Sequence, residues 1–455
     1  MSFGKGLVPN GYVVRTFRVK VMATPAKKAR AYNLLVSGGD TWAWCIDRFH
    51  ARLRDGLPNA NSLVQMWPDQ KVHGPFGELS VHCAQDVTKA WSAALFETMK
   101  RRKKGEEARL PLRKRWSVPV TWRQGEFALS VASEGRRARA VLSTARGYAS
   151  LELALSGDHP YDPELVRAVR LVEEGGELFM DITSWVAVPQ SEAVPDKVAG
   201  VDPGIIHPLA IAVGDQALLV SGRAVRAEEF LHLEDQKARQ RKMATKRSPL
   251  RAKPGQARRT GSRRWKQLAQ SQRKAEARDR RVVKLAGNRA ARLAAGFMVA
   301  NYVTLAVIGN PTGIEKKASG REQNRRTGRW ARTHQRDALC YRLEEVGISA
   351  ALTEERGTSS ACPTCGAKAA KQGRRLVCTT CNKAHHRDVA GAQNMVTKLG
   401  HAPSQIARTE HRRVGSPARR DRRRHLFDAD RGLARTRAAA PLVRGAESLA
   451  APKAA

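Results

Sequence analysis

The rhythm of hydrophobic and polar positions changes several times along this chain, and each change predicts an element. Residues 12–21, YVVRTFRVKV, alternate as a strand does. From about Ala26 to Arg54 apolar positions recur at helical spacing, with Asp40 available as a cap at a break over Gly38 and Gly39. A second helical region covers about 80–104, where Val87, Ala90, Trp91 and Leu95 share a face, and it ends in the basic run MKRRKKG. Between Val118 and Val188 the pattern shortens to alternating segments such as FALSVA, GYASLELAL and LFMDITSWVAV, which predict an antiparallel β-rich unit. From Gly200 the runs GVDPGIIHPLAIAV and ALLV predict two buried strands of a hairpin. Residues 229–300 predict two long basic helices around a turn-rich interruption at 247–262. A strand (304–309), a helix (about 329–346, with Trp330, Leu339, Leu343 and Val346 on its core side) and a strand (348–353) follow. Beyond about Gly400 the chain is rich in Arg, Ala, Pro and Gly with few large apolar residues, a composition that predicts disorder.

The pattern therefore predicts a multidomain α+β protein. Charge adds a partner class. Lys and Arg number 82 against 42 Asp and Glu, a formal net charge of +40. A surface this basic selects polyanions, and nucleic acid is the default. The positive excess over 229–300 is too one-sided for i,i+4 pairing to absorb, so that helix pair is expected to face nucleic acid. No stretch approaches the roughly 20 apolar residues of a membrane span. The N-terminus, MSFGKGLVPNGY, lacks the apolar core of a secretory signal, so a cytoplasmic, nucleoid-associated protein without membrane partners is expected.

Of the seven cysteines, Cys45, Cys83 and Cys340 stand alone in apolar-leaning contexts and are expected in cores. The other four, Cys362, Cys365, Cys378 and Cys381, form C-x2-C, a spacer, then C-x2-C. Each pair can point two thiolates at one tetrahedral ion, and the spacer has room for a hairpin, as in a zinc ribbon. Four thiolates leave no open coordination position, so this Zn2+ is structural. His385 and His386 could help bind metal or phosphate, but beside a completed site they are expected to contact nucleic acid or solvent. His207 receives no role.

Two carboxylates stand out. Asp202 lies in GVDPG, directly before an apolar run, and Asp388 in HHRDVAGAQNM, at the start of a helix after the cysteines. An Asp before Pro-Gly is often a turn residue, and one opening a helix is often a cap. Divalent-metal phosphodiester cleavage, however, draws its carboxylates from separate elements.

Taken together, GVDPG, GTSSACPTCG…CTTCNKAHHRDVAGAQNM and the basic helices between them resemble the C-terminal half of TnpB proteins, which insertion sequences encode and which are similar to the type V CRISPR effectors descended from them. Thr358 to Gly366 match the T-S-x-x-C-x-x-C-G motif, and Arg387, Asp388, Ala392 and Asn394 match the final R-D-x-x-x-A-x-N pattern. The specific resemblance spans about 198–400. It implies a β-barrel-like wedge domain over 1–195 with a helical recognition insertion at about 25–105. An RNase-H-like RuvC nuclease domain over 196–398 would carry the zinc ribbon at about 358–386, and a disordered basic tail would fill 399–455. It also implies an RNA-guided DNA endonuclease that uses Mg2+, a guide RNA from its own locus and double-stranded target DNA with a flanking motif, with a homodimer on one RNA as an open arrangement.

One position departs from the family. Its middle catalytic Glu usually ends the strand after the basic helices, where this chain has Gly309. Either the site is dead, leaving an RNA-guided repressor, or the Glu comes from elsewhere. Some TnpB and eukaryotic Fanzor proteins look rearranged, with a substitute Glu just before the T-S motif. Glu354 and Glu355 lie there. Neighbouring strand residues face opposite sides, so one of the two can serve, and Glu355 is favoured; Glu315 and Glu322 are weaker candidates. The resemblance thus assigns Mg2+ to Asp202, Glu355 and Asp388. A type V CRISPR effector derived from TnpB is the neighbouring reading; a transposase is disfavoured because no transesterifying Tyr stands in a recognisable His-containing context.

Overall fold

The computed structural model describes residues 8–414, except 56–66, 68–69, 71–76, 113–115, 133–136, 190–196, 247–260, 311–319, 321–323, 325–329, 356 and 402–404. The expected interruption at 247–260, Glu315, Glu322 and the tail beyond 414 lie outside those residues.

The N-terminal body is a seven-stranded antiparallel sheet in the order β2-β6-β7-β1-β5-β4-β3. Its strands are β1 (Tyr12–Met22), β2 (Val120–Arg123), β3 (Phe127–Ser130), β4 (Arg139–Leu142), β5 (Leu151–Leu155), β6 (Val166–Glu174) and β7 (Glu177–Ala187). The two edge strands, β2 and β3, are consecutive in sequence and joined by a tight turn in which Glu126 N–H donates to Arg123 O at 3.0 Å. The indole of Trp122 on β2 then donates to Ser143 O, just past β4, at 2.7 Å. The sheet is thereby rolled to near closure, which leaves little open edge. Alternate residues, Trp122, Leu142, Leu153, Leu155, Val169, Leu171, Met180 and Ile182 among them, fill its interior.

Two helices, α1 (Pro25–Arg54) and α2 (Val81–Lys103), are inserted between β1 and β2. Each starts on a cap: Thr24 Oγ1 accepts from Lys27 N–H, and Ser80 Oγ accepts from Cys83 N–H. The expected break at Gly38 and Gly39 is absent; α1 runs unbroken through it, and Asp40 is an internal residue of the helix. The glycine serves packing instead, since a Cβ at Gly38 would lie 3.0 Å from Val120 Cγ2 and 3.2 Å from Val118 O. Leu34, Leu35 and Cys83 join the barrel core, while Cys45, Phe49, Trp91 and Leu95 form a small core further along the helix pair.

The C-terminal body is built on a six-stranded sheet in the order β12-β11-β8-β9-β10-β16. The apolar run after Gly200 splits into two strands at Pro203 and Pro208, so β8 (Val198–Asp202), β9 (Leu209–Val213) and β10 (Gln216–Ser221) form an antiparallel meander in place of the expected hairpin. After the basic helices α3 (Arg223–Ala244) and α4 (Arg263–Ala300), β11 (Leu305–Asn310) lies parallel to β8. Helix α5 (Arg332–Glu345) leads to β12 (Ser349–Glu354), parallel to β11. Then come the small sheet β13 (Ala370–Gln372), β14 (Arg375–Cys378), β15 (Lys383–His386) and helix α6 (Arg387–Thr397). One face of the six-stranded sheet packs on Ala290, Ala291, Ala294 and Met298 of α4 and Leu339 and Leu343 of α5; residues of the other, Ala210, Ala217 and Leu219, meet Val389 of α6. Covered on both sides, β9 is apolar throughout.

One segment beyond Gly400 corrects the expectation of disorder. Residues Arg408–Arg413 form β16, which runs parallel to β10 from Gln216↔Arg408 to Ser221↔Arg413. Its side chains are polar and mostly exposed, so backbone pairing holds it and no hydrophobic alternation announces it.

The two bodies are locked together. Arg15 of β1 donates to Tyr341 O at 2.7 Å, stacks on the Tyr341 ring and pairs with Glu344. Arg281 of α4 pairs with Glu177 and covers the Phe179 ring of β7.

Candidate active site

Strands β8, β11 and β12 are parallel neighbours, so their C-terminal ends open on one side of the sheet, where α/β sheets bind ligands. Asp202 is the last residue of β8, Gly309 the penultimate residue of β11, and Glu355 follows β12 directly. Helix α6 crosses this end with two close approaches that only glycine permits. A Cβ at Gly200 would fall on Ala392 O, and one at Gly391 would lie 2.5 Å from Asp202 Oδ2. The glycines of GVDPG and DVAGA therefore bring Asp388, in the first turn of α6, to the end of β8.

Glu355 turns toward Gly309. A Cβ at that position would stand 2.5 Å from Glu355 Oε1 and 2.7 Å from Glu355 Cγ. The Glu355 side chain thus fills the volume that a side chain at 309 would take. Glu354, its neighbour, is exposed.

The residues of the T-S and R-D-x-x-x-A-x-N patterns hold this turn in place. Asn394 Nδ2 donates to Thr358 O at 2.7 Å and to Ala361 O at 2.9 Å. Thr358 Oγ1 and N–H both donate to Glu355 O, at 2.8 and 3.2 Å.

The electrostatics divide the three carboxylates. Burial, then the charges of Glu355 and Asp388, hold the Asp202 carboxyl well above the usual range. Burial pushes Glu355 to about 7, against a smaller opposing pull from Lys398. Glu355 Oε1 is shut off from solvent and has no hydrogen-bond partner among the described residues. For Asp388 burial also acts upward, but the hydrogen bond from His207 and the charge of Arg374 outweigh it, and its carboxyl is held below the usual range. His207 Nδ1 lies 2.7 Å from Asp388 Oδ2, and Arg374 Nη1 donates to both carboxylate oxygens at 2.9 and 3.1 Å. Asp202 and Glu355 are thus buried carboxyls whose protons are held until a positive charge arrives, and their oxygens could then serve hard divalent cations.

The four cysteines converge beside this site. Cys362 Sγ is 3.6 Å from Cys381 Sγ, and Cys365 Sγ is 3.5 Å from Cys378 Sγ. All four sulfurs lie within 4.8 Å of one another. The edge of a tetrahedron of sulfurs at about 2.3 Å from zinc is about 3.8 Å, so the donor set fits. The thiols cannot all ionise unaided. The Cys381 N–H holds Cys378 down to about 6, whereas burial and the surrounding thiols push Cys381 up to about 12. Arg374 lies between β13 and β14, and Arg387 N–H donates to its carbonyl at 2.8 Å, so the small sheet is fastened to the start of α6.

His386, half-buried, stands against His207. Its ring meets that of His207 edge-on, centroids 5.4 Å apart. His385 Nε2 approaches Cys362 Sγ at 3.7 Å and Thr364 Oγ1 at 3.4 Å. His207 was missed in the sequence because Asp388 is its partner only across the fold; the signal present was its place five residues after Asp202 in the same apolar run.

A profile of the Cas12f1-like TNB domain matches residues 333–395, the stretch from α5 to α6. No curated protein sequence matches the chain significantly. Among solved structures, a Cas12f1–sgRNA–target DNA complex is similar at 12% identity and a TM-score of 0.57, over 85% of this chain and 99% of that one. The mini-RNA-guided endonuclease CRISPR-Cas_phi3 is similar at 12% identity and a TM-score of 0.50, over 87% and 94%. The chain therefore shares the mixed α/β multidomain fold of these effectors. Among the described residues no helix is long and apolar enough to cross a membrane.

Proposed function

We propose that this chain is an RNA-guided DNA endonuclease of the TnpB and type V kind, whose RuvC-like site is completed by Glu355 in place of a residue at 309. The observation that carries this reading is the Glu355 side chain lying in the volume above Gly309, with Asp202 close enough to feel the charges of both Glu355 and Asp388. A dead site would have no reason to keep an unpartnered carboxylate there at the cost of its desolvation. The strand order of the C-terminal sheet, a meander followed by two parallel strands on its first member, supports an RNase-H-like domain.

In this reading Asp202, Glu355 and Asp388 hold Mg2+, which supplies Lewis-acid stabilisation of charge at the scissile phosphate. The protein's own part is positioning. Gly391 and Gly200 let α6 close on β8, Asn394 and Thr358 fix the turn bearing Glu355, and Arg374 sets Asp388. The four cysteines hold Zn2+ and thereby the loop that carries Arg374. Helices α3 and α4 and the basic end of α2 offer positive surface to a guide–target duplex, which base pairing reads while the protein reads shape and a short flanking motif.

Cleavage of a plasmid library with randomised flanks tests this, using protein co-expressed with RNA from its own locus. Cutting beside a fixed motif that Asp202→Ala and Glu355→Ala both abolish is the expected result. Guided binding without cutting by the unaltered protein would instead establish a repressor.

A further inference from the structure

Around Asp388 the site is not built from oxygen alone. His207 is buried, with Nδ1 2.7 Å from Asp388 Oδ2, and His386 stands at its edge. One donor atom from each of His207, His386 and Asp388 lies within 4.8 Å of the others. His386 Nδ1 is closed off from solvent and has no hydrogen-bond partner among the described residues. A buried ring nitrogen without a partner is costly, and the ring that carries it stands beside a carboxylate and a second imidazole.

We propose that His207, His386 and Asp388 are the ligand face of a site for a divalent first-row transition ion, for which Mn2+ serves as the spectroscopic probe, at one end of the carboxylate cluster. The inference rests on the reading of Asp388 as a metal ligand and deepens it by naming the ion class. Mg2+ takes oxygen ligands and keeps much of its water, whereas imidazole nitrogen suits the transition ions. The present His207–Asp388 separation of 2.7 Å is a hydrogen bond. It needs to open only to about 3.0 Å to become the edge between two cis ligands each about 2.1 Å from an octahedral ion. Arg374, which now donates to both Asp388 oxygens, competes with the ion for the same lone pairs. The guanidinium supplies the positive charge that the ion brings when it binds.

The test is Mn2+ titration of the full-length, zinc-loaded protein, followed by electron paramagnetic resonance. One bound Mn2+ with nitrogen hyperfine coupling is expected, held roughly tenfold or more tightly than Mg2+ in competition. His207→Ala and His386→Ala should each reduce the coupling and weaken Mn2+ on the order of tenfold, with zinc content unchanged as the check on folding. Mn2+ bound by the unaltered protein without nitrogen coupling overturns the proposal, as does coupling that is undiminished in both variants. Cleavage of DNA without nitrogen coupling removes this inference alone. Nitrogen-coupled Mn2+ in a protein that cuts no DNA supports it while removing the nuclease reading.

Discussion

At the scale of single residues, Gly309 and Glu355 behave as one unit. Gly309→Ala places a methyl group 2.5 Å from Glu355 Oε1. Overpacking of that kind costs about 1–3 kcal/mol and displaces the carboxylate. We expect at least a tenfold loss of cleavage with guided DNA binding retained, measured on a fixed plasmid target. The exchange Gly309→Glu with Glu355→Ala should cut better than Glu355→Ala alone, because it returns a carboxylate to the same volume. The pH dependence follows from Glu355, whose folded-state value of about 7 exceeds its ordinary 4.5. A raised carboxyl value means that the folded protein binds more protons than the unfolded chain between these two pH values. Stability is therefore full below 4.5 and is lost as pH rises to about 7. In zinc-loaded protein without Mg2+, the melting temperature should fall from pH 5 to 8, and Glu355→Gln should flatten that slope. An unchanged slope in the variant would assign it to other groups. The meeting of Glu355 with position 309 was readable in sequence from the missing side chain at 309 and the acids before the T-S motif. The grip on Asp388 by His207 and Arg374 was not, since neither lies near Asp388 in a periodic pattern and only the fold brings them together.

At the scale of elements, the four-cysteine loop and α6 form the frame of the site. Asn394→Ala removes two hydrogen bonds and leaves the carbonyls of Thr358 and Ala361 unpaired. A loss of about 1–3 kcal/mol is expected in denaturant unfolding, with cleavage falling further than guide RNA binding. Chelation of the zinc should free the loop bearing Arg374 and abolish cutting, while far-ultraviolet dichroism of the barrel persists. Strand β16 makes a different point. A chain ending at Gly400 would leave β10 an unpaired edge, and we expect it to self-associate in gel filtration where the full chain does not. The alternating and helical patterns located the helices and the strands flanking the site, because those elements bury one face. They failed at β16, which is polar on both faces, and at Gly38, whose small size answers to Val120 and not to its own helix.

At the scale of the whole molecule, a net charge of +40 on a body of two interlocked domains needs a polyanion. The protein should co-purify with RNA, and its affinity for that RNA should fall steeply between 0.1 and 0.5 M salt, the slope on a logarithmic plot counting the phosphates neutralised. The strand order also sets a schedule. Strand β16 is the last described element of the chain, and its partner β10 precedes both basic helices, the zinc loop and α6. On the ribosome, the barrel can therefore close while the C-terminal sheet still waits for β16, since domains fold as they emerge. The six-stranded sheet is complete only once Arg413 has been made, so a transcript truncated before β16 yields a folded barrel joined to an unfinished C-terminal sheet.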